Sequence, residues 1–404
     1  MWRGLGPGLL FSGAAIGVSH LVQSTRAGAL FGLALVGVII VINILKYPTY
    51  RFGVDYAQAT KSSLLTGYRR LGPWAIPLFC LVVAPVMPIV MTAVSATTAG
   101  IIVVTTGVSA TIPLLASGVL VAVAALLFFE SYDWVDRVNR VLVAVLIVTT
   151  LLTTMLVLDR VEWGALVDFG WTVQPAALLF LVALAGFMPN PLDLSVVQSI
   201  WIREAQRGQA EDVRPGLAQQ RMLFLAPYIM TTVLAVCFCI MGAGVMHSGG
   251  VSPASDAAGF AAQVIGLYSE TLGPYAALLA SVAALSVMAT TVLAALDAYS
   301  RLFAGVYAEY VGSEISAGAR RAVLIVIVLS AIAVLNLFFG DFAAFIDLTT
   351  SLVFLSAPIV ALLNHLVVTR TAMPDEARPS PALRAFNGFA ILCMMLLAAV
   401  YFLA

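Results

Sequence analysis

The hydrophobic pattern of the chain consists of long apolar runs separated by short polar segments. A helix needs about 20 predominantly apolar residues to cross the hydrocarbon core of a bilayer, and eleven windows of the chain satisfy this. The runs are continuous rather than alternating, which does not fit the strands of a transmembrane barrel. We therefore predict an all-α integral membrane protein with eleven transmembrane helices. Their predicted ranges are 6–27, 30–50, 74–104, 109–129, 139–158, 173–201, 221–247, 273–300, 319–339, 342–369 and 384–404.

The composition also indicates a membrane protein. Of the 404 residues, 62% are hydrophobic and 10% are charged, whereas about 25% of the residues of a soluble domain are charged. The 20 Lys and Arg residues balance the 20 Asp and Glu residues, so we expect no nucleic-acid partner. The expected partners are the lipid bilayer and a small ion or solute. The polar stretches 51–73 and 202–220 are too short for a separate core, which predicts a single transmembrane domain over residues 1–404.

The distribution of positive charge predicts the orientation in the membrane. Cytoplasmic loops of membrane proteins carry an excess of Lys and Arg. With eleven helices, eighteen such residues, Lys46 among them, fall on one side, and only Arg26 and Arg160 fall on the other. We therefore predict a cytoplasmic amino terminus and an extracytoplasmic carboxyl terminus, in the plasma membrane (the inner membrane of a bacterium).

The first and sixth predicted helices contain residues that interrupt a regular apolar helix. In the sixth, Pro189 and Pro191 remove backbone donors and clash with the preceding turn. In the first, Ser19, His20 and Gln23 lie at membrane depth. Backbone groups freed at that depth are tolerated where protein or a water-filled cavity satisfies them. Two such helices, five helices apart, indicate an inverted-repeat transporter whose substrate lies between the breaks.

The two segments carry short motifs. The first contains Gly6-Pro7-Gly8, eight further residues, a tetrapeptide, Ala27-Gly28-Ala29 and Phe31-Gly32, and the second contains Met188-Pro189. The first set resembles, without a gap, the first helix of the natural resistance-associated macrophage protein (NRAMP) family of metal transporters. Met188-Pro189 is similar to the start of the Met-Pro-His motif in the sixth helix of that family.

The resemblance implies a fold and a mechanism. The family has the leucine-transporter fold, in which helices 1–5 and 6–10 are inverted repeats, plus one extra helix. The repeats would here be residues 1–158 and 173–369, and the extra helix residues 384–404. Acidic residues in the third helix of the family are linked to proton exit, and residues 80–101 contain none. We therefore expect alternating access without proton coupling.

The resemblance also implies positions for a metal site, with departures from the family. The metal-binding Asp-Pro-Gly-Asn of the family reads Gly17-Val18-Ser19-His20, so its acidic ligand is missing. The family's Ala and Met ligands are matched by the carbonyl of Ala185 and the thioether of Met188, and the His of Met-Pro-His by Asn190. A site of His20, Ala185, Met188 and Asn190, with Asp193 nearby, would favour softer ions than magnesium or manganese.

The same segments also fit an organic solute. A half-helix that begins near Ser19 presents free amides and the positive end of its dipole, and Arg26 lies two turns along the face of Ser19 and Gln23. These groups suit a carboxylate or a polar organic group better than a bare dication. His20 could instead form a hydrogen bond between helices, and Arg26 could extend to the outer interface.

Other polar residues are candidates for the pathway or its gates. Asp297 and Arg301 are spaced to pair on the eighth helix, where a purely structural ion pair is the simpler interpretation. Asp347 and Ser356 make the tenth helix partly polar. Together with Arg26, these four residues form the predicted pathway or gating set.

We do not expect an enzyme. Ser19 and His20 are adjacent, and neighbours on a helix point about 100° apart, so we expect no nucleophile–base pair there. The chain has no Gly-x-Ser-x-Gly, His-Glu-x-x-His or nucleotide-binding loop.

The resulting hypothesis is an NRAMP-related secondary transporter of a metal cation, without a resident cofactor. The alternatives are a transporter of a small organic, zwitterionic or anionic solute on the same fold, and a receptor or scaffold that does not transport. The predicted substrate-binding residues are Gly17, Ser19, His20, Gln23, Ala185, Met188, Asn190 and Asp193.

Overall fold

The computed structural model describes residues 16–128, 133–207 and 214–403. Over these ranges the chain consists of helices and loops, with no β-strand. Six of the described helices are long and apolar enough to cross a membrane. They are Ala75–Thr106, which a turn at residues 84–86 divides into two α-helices, Leu217–His247, which ends in a π-helical segment, Pro274–Val311, Ala317–Leu337, Phe342–Arg370 and Pro381–Leu403. The described part of the chain is therefore an all-α membrane protein.

The α-helices are numbered in chain order. They are α1 Thr25–Phe31, α2 Val36–Thr60, α3 Leu64–Leu71, α4 Ala75–Val83, α5 Met87–Thr106, α6 Ile112–Phe128, α7 Asp133–Val157, α8 Pro175–Phe187, α9 Leu194–Arg207, α10 Leu217–Met241, α11 Ala257–Leu272, α12 Pro274–Val311, α13 Ala317–Leu337, α14 Phe342–Arg370 and α15 Pro381–Leu403. Two π-helical segments, Ser19–Ser24 and Gly242–His247, precede α1 and follow α10. The match at Gly6-Pro7-Gly8 lies outside the described residues.

Helix α2 continues beyond its predicted end. The apolar window ends at residue 50, but the helix reaches Thr60. Its buried Asp55 carboxylate accepts hydrogen bonds of 2.7 and 3.0 Å from Arg221 of α10, and one of 3.3 Å from Arg51. Because these charges are paired, the helix can continue after its apolar run has ended.

The count of Lys and Arg residues on each side of the membrane assigns Lys46 to the wrong position. It treats Lys46 as a loop residue, whereas the structure places it within α2 with no exposed surface. Lys46 lies inside the predicted window 30–50, so the window itself argues against a loop position. The remaining seventeen residues on that side still outnumber the two on the other side.

Helix α11 has no counterpart among the predicted spans. It has 16 residues, which is fewer than the ~20 that a membrane span requires. Asp256 caps its amino end by accepting a 2.7 Å hydrogen bond from the backbone N–H of Gly259. Phe260 and Val264 lie on its buried face, and the helix packs against α5 and α12.

Two glycines let helices approach closely at the interrupted segments. A Cβ atom on Gly186 would lie 1.8 Å from the backbone carbonyl oxygen of Thr350, where α8 meets α14. A Cβ atom on Gly28 would lie 1.9 Å from the carbonyl oxygen of Cys239, where α1 meets α10. Any larger residue at either position would have to displace a backbone.

Candidate functional site

The predicted break in the sixth helix is confirmed. Helix α8 ends at Phe187 and α9 begins at Leu194. Met188 has an extended backbone between them, and Pro189 and Pro191 have no N–H with which to continue a helical ladder. The last carbonyls of α8 therefore need partners from outside their own helix.

The described part of the first predicted helix is also irregular. Ser19–Ser24 form a π-helical segment before α1 begins, and π-helical turns are frequent at functional sites. Gly17 lies just before this segment, where an added Cβ atom would be 3.0 Å from the Cγ2 atom of Thr291 in α12. The first helix is thus packed against α12 at the point where its geometry changes.

A cavity lies between these two irregular segments. Its volume is about 50 Å³, and its walls are mainly apolar. Its polar lining residues are Ser19, Asn190, Asp193, Thr291 and Tyr299. Of the predicted site, the cavity thus includes Ser19, Asn190 and Asp193. An apolar cavity with a few polar groups is the usual form of a small-molecule site.

Asn190 is the least satisfied polar residue of this cavity. Its side-chain nitrogen Nδ2 is buried and has no hydrogen-bond partner among the described residues. Its backbone carbonyl, in contrast, accepts a 2.7 Å hydrogen bond from the hydroxyl of Tyr50. A buried donor without an acceptor destabilises a protein, and a bound ligand can supply the acceptor.

Lys46 satisfies the free carbonyls at the break. Its Nζ donates to the carbonyl oxygens of Ala185 at 2.6 Å, Gly186 at 3.1 Å and Asn190 at 3.4 Å. Sequence reasoning missed this residue, although its position inside an apolar window was a usable signal. The carbonyl of Ala185, a predicted metal ligand, is therefore bound by an ammonium group.

Both ring nitrogens of His20 are hydrogen bonded. Nε2 lies 2.8 Å from the carbonyl oxygen of Thr231 in α10, and Nδ1 lies 2.7 Å from Oγ of Ser19. Nε2 donates to the carbonyl, and in a neutral imidazole Nδ1 then accepts from the serine hydroxyl. The premise that Ser19 and His20 point too far apart to interact, on which we excluded a nucleophile–base pair, was wrong: the serine hydroxyl lies 2.7 Å from the ring in this π-helical turn. His20 thus forms the helix-to-helix hydrogen bond that was its alternative interpretation.

The predicted metal ligands are therefore largely engaged elsewhere. His20 is bound to Ser19 and α10, and the carbonyl of Ala185 to Lys46. Met188 is fully buried but does not line the cavity. Within the described ranges, no group of three or more His, Cys, Asp and Glu side chains could hold a metal ion.

Gln23 and Arg26 connect the first helix to α14. Arg26 donates to both carboxylate oxygens of Asp347, at 2.6 and 2.8 Å. Gln23 donates to Asp347 at 3.1 Å and to the hydroxyl of Thr350 at 3.0 Å, and accepts from Arg26 at 3.0 Å. Arg26 is 6% exposed, so the alternative in which it extends to the outer interface was wrong.

The other predicted pathway residues lie outside the cavity lining. Arg301 donates to Asp297 at 2.6 Å, as the spacing predicts, and also to Glu204 of α9. Arg320 of α13 lies 3.4 Å from Asp297. The hydroxyl of Ser356 donates to a carbonyl of its own helix at 2.7 Å. The Asp297 cluster thus joins α9, α12 and α13.

One curated protein establishes the family of the chain. The uncharacterized protein PM0681 of Pasteurella multocida (strain Pm70) is 32% identical over 303 residues, which cover 74% of the chain and 69% of that protein. The chain belongs to the PM0681 family. No family model matches this PM0681 family member, so its membership of the NRAMP family stays a prediction.

Several solved transporters have the same fold as this PM0681 family member. The manganese transporter of Eremococcus coleocola, in complex with an aromatic bis-isothiourea substituted compound, aligns with a TM-score of 0.72 at 14% identity, over 98% of the chain and 85% of the transporter. MhsT in complex with L-phenylalanine aligns with a TM-score of 0.65 at 15% identity, over 97% of the chain and 98% of MhsT. Mhp1, a nucleobase-cation-symport-1 family transporter with bromovinylhydantoin bound, aligns with a TM-score of 0.59 at 13% identity, over 98% of the chain and 91% of Mhp1. At these identities the likeness shows the leucine-transporter fold alone.

Proposed function

We propose that this PM0681 family member is a secondary transporter that moves a small neutral or zwitterionic organic solute by alternating access. The observation that carries the proposal is the apolar cavity between the two irregular segments, with the buried, unpartnered amide of Asn190 in its lining. A solute oxygen that accepts from this amide would satisfy the buried donor. The apolar walls suit a hydrocarbon part of the same solute.

The charges at the site favour a solute without net charge. Arg26 is paired with Asp347, and Lys46 interacts electrostatically with Asp193. The two positive and two negative side chains therefore cancel. A dication would enter this low-dielectric site without compensating negative charge, which is unfavourable. A neutral or zwitterionic solute does not meet this cost.

The metal cation that the NRAMP resemblance favours is therefore not our leading substrate. Two of its predicted ligands, His20 and the Ala185 carbonyl, already have partners. Asp193 is the one carboxylate that lines the cavity, and it lies directly before α9, where a carboxylate also stabilises a helix amino terminus. A single carboxylate in that role is a weak basis for a metal site.

The finer architecture is part of the same proposal. We propose eleven helices, arranged as two inverted repeats over residues 1–158 and 173–369 plus a last helix at 384–404, with the amino terminus in the cytoplasm of a bacterium. The Arg26–Asp347 pair would close the outer side of the cavity and the Asp297–Arg301 cluster its inner side. With no acidic residue over 80–101, transport would not be coupled to protons.

Ligand-dependent thermal stability of the purified protein tests the substrate class. A ligand that binds the folded state raises the melting temperature. The panel consists of neutral and zwitterionic solutes, including L-phenylalanine and bromovinylhydantoin, together with manganese, zinc, cadmium and magnesium ions. We expect stabilisation by at least one organic solute and by none of the metals. Saturable stabilisation by a metal and by no solute would contradict the proposal.

A further inference from the structure

The environment of the Lys46 ammonium group differs from that of an ordinary ion pair. Its three closest hydrogen-bonding partners are the backbone carbonyls of Ala185, Gly186 and Asn190. The ring of Phe354 lies 6.0 Å from Nζ. Among the described residues, no carboxylate lies within ion-pair distance of it. A group of converging backbone carbonyls is how proteins bind monovalent inorganic cations such as potassium.

The Lys46 ammonium group matches the surrounding carbonyls both in its number of donors and in the sign of its charge. A lysine ammonium has three N–H donors and no acceptor, and three carbonyl oxygens surround it. Two of them belong to the last turn of α8, which is the negative end of that helix dipole. At membrane depth, each carbonyl would be costly to leave without a donor or a cation.

We propose that the break between α8 and α9 is a binding site for a monovalent cation, filled by the side chain of Lys46 as a tethered cation. Because the positive charge is covalently attached through α2, no free sodium or potassium ion has to bind there for the break to be stable. The consequence for transport rests on the proposed function: solute movement should not require either ion.

Replacement of the tethered cation by a free one tests this inference. Lys46→Ala removes the side chain beyond Cβ, which corresponds to one molecule of propylammonium. We expect the melting temperature of the purified full-length Lys46→Ala protein to fall by several degrees and to be largely restored by propylammonium. The neutral isostere 1-propanol should not restore it. Equal rescue by propanol would show that Lys46 acts by filling space, and would overturn the proposal.

Two further variants complete the test. Lys46→Met keeps most of the volume without the charge, so we expect a lower melting temperature that propylammonium does not restore. Lys61→Ala, at the only other lysine of the chain, should melt like the wild type with or without the amine. If Lys46→Ala does not fold, Lys46→Met decides the question: a wild-type melting temperature would overturn the proposal, and a clear loss would support it.

The tethered-cation proposal and the solute-transport proposal can be contradicted independently of each other. Rescue of the melting temperature by propylammonium needs no solute, so it can succeed even if the protein transports nothing. If solute uptake is present, we expect wild-type uptake to be independent of external sodium and potassium, and Lys46→Ala uptake to depend on propylammonium. Wild-type uptake that requires sodium or potassium would contradict the tethered cation while leaving solute transport intact.

Discussion

Asn190 is the side chain on which solute binding should depend most directly. Its Nδ2 atom is buried in the cavity lining without a partner in the described part of the chain. Loss of one neutral hydrogen bond costs about 0.5–1.5 kcal/mol, so Asn190→Ala should weaken the binding of a stabilising panel solute by roughly 2- to 12-fold. Calorimetric titration of the two proteins measures the change.

A matched asparagine provides the control for that experiment. Asn336 is exposed on α13 and donates to a carbonyl of its own helix at 2.8 Å. Asn336→Ala should bind the solute like the wild type. Equal affinities for wild type, Asn190→Ala and Asn336→Ala would remove Asn190 from the site.

From the sequence, residues of the site could be predicted only where they interrupt a regular apolar helix. The prolines and the polar run of the first helix identify the two irregular segments, and Ser19, Asn190 and Asp193 do line one cavity. The apolar window around Lys46 indicates that it is not a loop lysine, but its role could not be predicted. Its partners are 139 to 144 residues away in sequence, and the hydrophobic pattern does not show that they lie together.

At the scale of elements, the contact between α8 and α14 depends on Gly186. A methyl group there would meet the Thr350 carbonyl oxygen at 1.8 Å, and such overpacking costs about 1–3 kcal/mol or more. Gly186→Ala should therefore lower the melting temperature. Gly118→Ala, in α6 with open space around it, should be neutral or slightly stabilising because alanine favours helix by up to ~1 kcal/mol. Equal melting temperatures for both variants would contradict this packing.

Exchange of the charges of Arg26 and Asp347 tests the contact between the first helix and α14. Arg26 and Asp347 form a two-hydrogen-bond pair, so Arg26→Asp or Asp347→Arg alone places like charges opposite each other. We expect each single variant to lose most of its solute uptake. The double variant, in which the pair is reversed, should recover part of it. A double variant no better than the worse single variant would show that the pair does not close the cavity.

Helices could be predicted from the sequence where a long apolar run alone determines their position. Helices α10, α12, α13, α14 and α15 lie within a few residues of their predicted starts. The carboxyl end of α2 and the whole of α11 were not found, because a buried Asp55–Arg221 pair and an Asp256 cap stabilise them. Such contacts are set by tertiary packing, which the hydrophobic pattern does not contain.

The whole molecule has the fold of solved transporters that bind chemically different ligands. One is a manganese transporter, one is bound to L-phenylalanine and one to bromovinylhydantoin. Fold therefore does not select the substrate. We propose that in this chain local features select the substrate: cancelling charges, an apolar cavity, and a lysine at the break between α8 and α9.

Flux through proteoliposomes tests the central claim most directly. Purified wild-type protein is reconstituted, and uptake of the solute that gives the largest thermal stabilisation is compared with uptake of manganese and with acidification of the lumen. We predict time-dependent, saturable solute uptake that Asn190→Ala weakens and Asn336→Ala does not, with no manganese uptake and no acidification. Manganese entry accompanied by protons, without solute uptake, would contradict the account.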